Sequence, residues 1–215
     1  YRGYSNNPIR REVSNTMTCK LNADTSDGLK IVSDTSGAIE MQTNGTTVAT
    51  INSNGTVVIP TITNGTAVAT TSGTAVDFTS IPSGVKRISM MFNQVSCNGT
   101  TPRLIQIGTS SGLVTSGYIS SGAFLGQGNA GLTSTAGFLC GNGGAVLDKT
   151  VGIAVIQTLG SNVWAMSTAN GDGTANFIKV GGGSITLGGV LDRLRLSTTG
   201  SATFDHGSVN ISWEY

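Results

Sequence analysis

Turn glycines recur along the first third of this chain about as often as a single short strand allows, and that rhythm constrains the fold more than any other feature. Asp27-Gly28 precedes Leu29-Lys30-Ile31, Ser36-Gly37 precedes Ala38-Ile39-Glu40-Met41, and Asn44-Gly45 precedes Val48-Ala49-Thr50-Ile51. Asn54-Gly55 then leads into Val57-Val58-Ile59 and Asn64-Gly65 into Ala67-Val68-Ala69, a spacing of roughly eight to ten residues. Asn-Gly and Asp-Gly supply the positive φ angles of tight hairpin turns, so each unit reads as a short strand and a turn. Strands this short bury little and leave backbone edges open. A repeat that cannot cover its own apolar face takes cover from stacked neighbours or from copies of itself about an axis. The units lack the regular ladder residues of a β-helix. Three chains wrapped together would close the edges and place Ile31, Met41, Ile51 and Ile59 along a shared centre, so residues 22–72 are expected to form a trimeric shaft.

Composition supports an all-β chain. Charged residues make up only 11% and glycines number 31 among 215 residues, with Ser, Thr and Asn filling the difference. Such a chain is rich in turns and hydroxyl-bearing strand surfaces and poor in helix formers. A net charge of +1 offers no footprint for a nucleic-acid backbone, and no apolar run is long enough to insert in a membrane, so neither partner is expected. Tyr1 is not an initiator methionine and opens a polar segment, which suggests a processed or partial chain. Three widely spaced cysteines, Cys19, Cys97 and Cys140, read as buried thiols rather than a disulfide framework, in keeping with assembly in a reducing host cytoplasm.

Residues 1–21 differ from the rest. Arg2, Tyr4, Arg10 and Arg11 lie in a stretch with little periodicity that reads as a connector or docking arm. Beyond residue 73 the strands lengthen and alternate. Ile88, Met90 and Phe92 share a face, as do Ile105 with Ile107, Leu194 with Leu196, and Val209, Ile211, Trp213 with Tyr215. Turn signals separate these runs at Asn98-Gly99, Ser111-Gly112, Gly141-Asn142-Gly143-Gly144, Gly171-Asp172-Gly173, Gly181-Gly182-Gly183 and Thr199-Gly200. Residues 73–215 are expected to form an antiparallel β-sandwich or jelly roll.

Chemistry-bearing constellations are sparse. His206, the single histidine, lies between expected strands as a turn residue, without partners at metal-ligand spacing. No serine sits in a nucleophile elbow that would give Asp205-His206 a catalytic partner. Asp77, Asp148, Asp172, Asp192, Asp205 and Glu214 are scattered and read as salt-bridge and turn residues rather than a glycosidase pair. Val180-Gly181-Gly182-Gly183-Ser184 lacks the ending of a phosphate loop and reads as a loop between strands. Tyr118 and Trp164 lie near turn residues, where an aromatic face is placed to stack on a sugar. No catalytic residue, metal or cofactor is expected, and the chain reads as a non-enzyme.

The stretch from Gly73-Thr74-Ala75-Val76-Asp77-Phe78 through Ile81-Pro82-Ser83-Gly84-Val85-Lys86-Arg87-Ile88 resembles the opening of a C-terminal domain found on bacteriophage tail fibre and virion structural proteins. Leu191-Asp192-Arg193-Leu194-Arg195-Leu196 and the closing run Thr203 to Tyr215 resemble its last strands, and the repeats at Asp24–Leu29 and Gln42–Thr46 are similar to preceding shaft repeats. The resemblance implies a homotrimeric virion appendage, a tail fibre or spike. Its arm would dock to other virion proteins, and its distal domain would adsorb to a host receptor or polysaccharide. The alternative keeps the architecture but makes the chain a capsid decoration fibre or another structural virion protein without receptor binding. The resemblance carries over no site residues.

Overall fold

The computed structural model describes residues 37–43, 46–59, 61–126, 130–140, 148–174 and 176–215. Among them there is no helix, and every strand pairing is antiparallel. Two compact units divide between Ile59 and Pro60.

In the first unit, strands β1 (Ile39–Thr43), β2 (Thr46–Ile51) and β3 (Val57–Val58) form a small sheet in sequence order. The Asn54-Gly55 turn joins β2 to β3. Gly55 adopts φ +79°, its N–H donates to the Asn52 carbonyl at 2.9 Å, and the Asn54 side chain accepts from the Thr56 N–H at 3.0 Å. None of the described residues of this unit whose exposure is defined is buried. Met41, Val57 and Ile59 are 50%, 59% and 61% exposed. The earlier repeats at Asp27-Gly28 and the arm with Arg2, Tyr4, Arg10 and Arg11 lie outside the described residues, as does Cys19.

The second unit starts before residue 73. β4 (Ile62–Asn64) and β5 (Val68–Ala69), which the repeat rhythm assigns to the shaft segment, both pair with the last strand, β17 (Phe204–Glu214). Gly65 N–H donates to the Ile211 carbonyl and Thr70 N–H to the Gly207 carbonyl, which ties the stretch along the β17 edge. A larger sheet is built on this edge. It runs β11 (Ala130–Ser134), β10 (Ile119–Leu125), β15 (Ile178–Thr186), β14 (Val163–Asp172), β13 (Thr150–Gly160), β7 (Arg87–Cys97), β17, β4. A smaller sheet holds β12 (Phe138–Leu139), β8 (Leu104–Thr109), β16 (Arg193–Ser197) and β6 (Ala75–Phe78), with β9 (Gly112–Leu113) paired to β8.

The strict alternation of these strands turns one set of side chains inward from each sheet, and the two sets meet in one core. Ile88, Met90, Ile156 and Ile211 come from the large sheet; Ile105, Ile107, Leu194, Leu196 and Phe138 come from the small one. The alternation of the last strand runs out before its end. Val209 and Ile211 are buried, Trp213 is half-buried, and Tyr215 is 63% exposed, so the face of four closes with two.

Two glycine features depart from the sequence expectation. Gly181-Gly182-Gly183 is no loop: it forms the middle of β15, hydrogen-bonded on both sides to β10 and β14. A Cβ on Gly183 would press into the Ile119 and Ser120 backbone, so a side chain there would force the two strands apart. His206 likewise sits in no turn. It lies within β17 between two register shifts against β7, a local bulge completed by Gly207 at φ +92°. A Cβ on Gly207 would collide with the Asn93 and Gln94 carbonyls.

Candidate functional site

The two aromatic residues expected at a surface are both buried. Tyr118 is 1% exposed and packs edge-on against Phe138 at 4.9 Å. Its hydroxyl accepts from the Ile107 N–H at 2.8 Å and lies 3.0 Å from the Val114 carbonyl, a donor position, so its polar end is satisfied by backbone. Burial pushes the phenol up to about 12, despite the opposing hydrogen bond to Ile107. Tyr118 therefore fastens β8 to the chain that follows it and offers no face to a sugar.

Trp164 is 4% exposed and belongs to the core, yet it also forms part of the wall of a cleft of about 430 Å³ at one end of the unit. The β13–β14 hairpin makes the cleft's rim. Ser161 and Asn162 take φ +50° and +61° between the paired residues Gly160 and Val163, the backbone of a two-residue type I′ turn. The Asn162 carbonyl accepts from the Leu187 N–H at 2.9 Å, which anchors the turn to the segment after β15. Leu159 and Val190, 70% and 59% exposed, supply apolar surface, and Lys86 and Thr158 supply polar groups. The indole Nε1 of Trp164 is buried without a hydrogen-bond partner. The cleft thus combines exposed aliphatic side chains with polar groups on a rigid hairpin, a composition suited to a small polar-faced ligand such as one sugar residue.

Each of the six distal acids has a partner. Asp77 holds Arg195 through two hydrogen bonds at 2.6 and 2.7 Å, Asp192 holds Arg193 at 2.7 Å, and Glu214 holds Arg87. The Arg195 hydrogen bond outweighs partial burial and lowers the Asp77 carboxyl from its ordinary value. Ser96 Oγ donates to Asp205 at 2.6 Å, while His206 Nδ1 lies 3.1 Å from the Gln94 carbonyl, so Ser, His and Asp form no relay. Among the described residues, no three His, Cys, Asp or Glu side chains gather as a metal set. Cys97 and Cys140 are buried free thiols, and burial pushes the Cys140 thiol up to about 12.

Asp148 and Asp172 are not scattered: they converge on Lys179. The ammonium lies 2.8 Å from Asp172 Oδ2 and 3.5 Å from Asp148 Oδ2, and the three side chains are 0%, 0% and 3% exposed for Lys179, Asp172 and Asp148. Arg103, also buried, donates to Thr150 Oγ1 at 2.7 Å, and Thr150 in turn lies 3.3 Å from the lysine. Burial raises the Asp172 carboxyl, but hydrogen bonds from Lys179 and Thr174 outweigh that and hold it below its ordinary value. Burial and the Arg103 charge push Lys179 down, against the pull of its two carboxylates. The signal for this cluster is the pairing of Asn170 with Lys179 across β14 and β15, which no local pattern reveals. Compared with known protein families, curated proteins and solved structures, the chain matches none.

Proposed function

We propose that this chain is a phage virion structural protein: a homotrimeric tail fibre or spike whose distal unit adsorbs to a host receptor or glycan. The observation that carries the reading is the lack of any buried residue among the first unit's described residues whose exposure is defined. Three short strands with Met41, Val57, Val58 and Ile59 exposed cannot be stable as a lone ribbon, and copies of the same chain are the simplest cover. The distal unit supports the same reading from the other side. It has an independent core, closing strands resembling those of tail-fibre domains, and an end cleft with exposed Leu159 and Val190 beside the Ser161-Asn162 turn. In this reading the arm with Arg2, Tyr4, Arg10 and Arg11 docks to the virion, the repeats form the shaft, and the distal unit is an antiparallel sandwich specialised for contact.

The test is binding of the whole purified chain to an array of bacterial surface polysaccharides. Binding to a subset is expected, falling at least tenfold in Leu159→Asp, which charges the cleft without touching the core. A chain that binds no glycan and no intact bacterial cell contradicts the adsorption role and favours a capsid decoration protein.

A further inference from the structure

The lysine and two carboxylates gathered inside the distal unit sit in the arrangement of a reactive triad. We propose that Lys179 and Asp148 become joined by an intramolecular amide bond, formed without any other enzyme once the sheets close.

The geometry divides the roles. Asp172 Oδ1 accepts from the Thr174 N–H and hydroxyl, both at 2.8 Å, and Oδ2 accepts from Lys179. So well-bonded a carboxylate stays ionised, which makes it a proton acceptor and a poor electrophile. Asp148 is its opposite. Its Oδ2 is buried with no hydrogen-bond partner, and it lies 3.5 Å from the lysine nitrogen, too far for a good hydrogen bond and near enough to hold the carboxyl group beside the amine. A buried carboxylate oxygen without a hydrogen bond is costly, and amide formation removes one carboxylate oxygen altogether. Lys179 is held between the two with no exposed surface, and burial and Arg103 favour its neutral amine, the nucleophilic form.

The step balances within the cluster. The ammonium passes a proton to the Asp172 carboxylate, which hands it on to Asp148, so that a neutral amine faces a carboxylic acid and Asp172 is a carboxylate again. The Nζ lone pair adds to Cγ of Asp148, the nitrogen's surplus proton moves by way of Asp172 to the departing hydroxyl, the C–O bond breaks, and water leaves. Overall, one ammonium and one carboxylate become one amide and one water, with nothing oxidised or reduced. Two cations and two anions share the site before reaction: Arg103, Lys179, Asp148 and Asp172. One of each remains afterwards, so the interior stays neutral with half its buried charge. Condensation is unfavourable in bulk water, but removal of two buried ions and a held reacting geometry both act in its favour here. The link would bind the approach to β13 to β15 across the β14 strand between them, so the hairpins at this end cannot separate.

The test is the intact mass of the folded full chain, measured after denaturation. A mass lower than the sequence by one water is expected, and digestion should yield a branched peptide joining Lys179 to Asp148. Lys179→Arg and Asp148→Ala should each keep the full sequence mass, and Asp172→Asn should slow the loss of water. A folded chain that keeps its full mass overturns the proposal without recourse to any variant. So does water loss that persists in Lys179→Arg, which would mark cyclisation at an Asp-Gly step, or a loss of ammonia, which would make Asn170 the acyl partner.

Discussion

The two units use the same vocabulary of short strands and glycine turns and arrive at opposite outcomes. In the distal unit, strands such as β7 and β17 run for 11 residues each and bury alternate side chains against a second sheet. In the first unit, β1 to β3 run for 5, 6 and 2 residues and bury none of those whose exposure is defined. Turn chemistry is sound in both, so turns do not decide burial; a second sheet to pack against does, since strands as short as β12 and β16 bury Phe138, Leu194 and Leu196 there. A strand of two to six residues with no sheet facing it buries too little apolar surface to offset the entropy of ordering it. Ile62–Asn64 and Val68–Ala69 continue the same rhythm and pair their backbones along β17, while their side chains stay exposed, so pairing without a facing sheet does not bury them.

Several substitutions sharpen that contrast. The largest effect is expected from Lys179→Ala, which leaves Asp148 and Asp172 buried without their cation and should cost the distal unit about 3–5 kcal/mol. An unchanged urea midpoint would show that the cluster is not structural. Leu194→Ala opens the shared core and should cost about 2–5 kcal/mol, whereas Val57→Ala in the first unit should leave the same unfolding transition in place. Equal shifts for both would erase the distinction between the units. Tyr118→Phe removes a hydroxyl bonded to the Ile107 N–H and the Val114 carbonyl, with an expected loss of about 1–3 kcal/mol by thermal melting.

The smallest effect is a pH dependence. Because Arg195 lowers Asp77 in the folded chain, that pair stabilises above the unfolded carboxyl value near 4, and the contribution is lost as pH falls through the lower folded value. The pair is half exposed and screened, so Asp77→Asn should flatten the acid limb of the stability curve by less than about 1 kcal/mol.

Much of the distal architecture is legible because side-chain alternation is a local signal. Ile88, Met90, Ile105, Ile107, Leu194 and Leu196 announce their face in any window of five residues. The failures fall where that local signal is missing or where folding brings distant residues together. Gly181-Gly182-Gly183 has no side chains to alternate, so a central strand reads as a loop until β10 and β14 flank it. Tyr118 looks like a surface residue because its hydroxyl's partners, Ile107 and Val114, become neighbours only after β8 folds back. The meeting of Asp148, Asp172 and Lys179 depends on the pairing of β13, β14 and β15, and no spacing in the chain encodes it. The cleft at Trp164 is half legible: Asn162 signals a turn, but its exposed aliphatic rim comes from separate segments.

The central claim is that the first unit requires other copies of the chain. Light scattering coupled to size exclusion, on the whole chain in native buffer, tests it most directly. A single species of three chains is expected, which Val58→Asp dissociates while the distal unfolding transition stays where it was. A stable, monodisperse single chain would contradict the account.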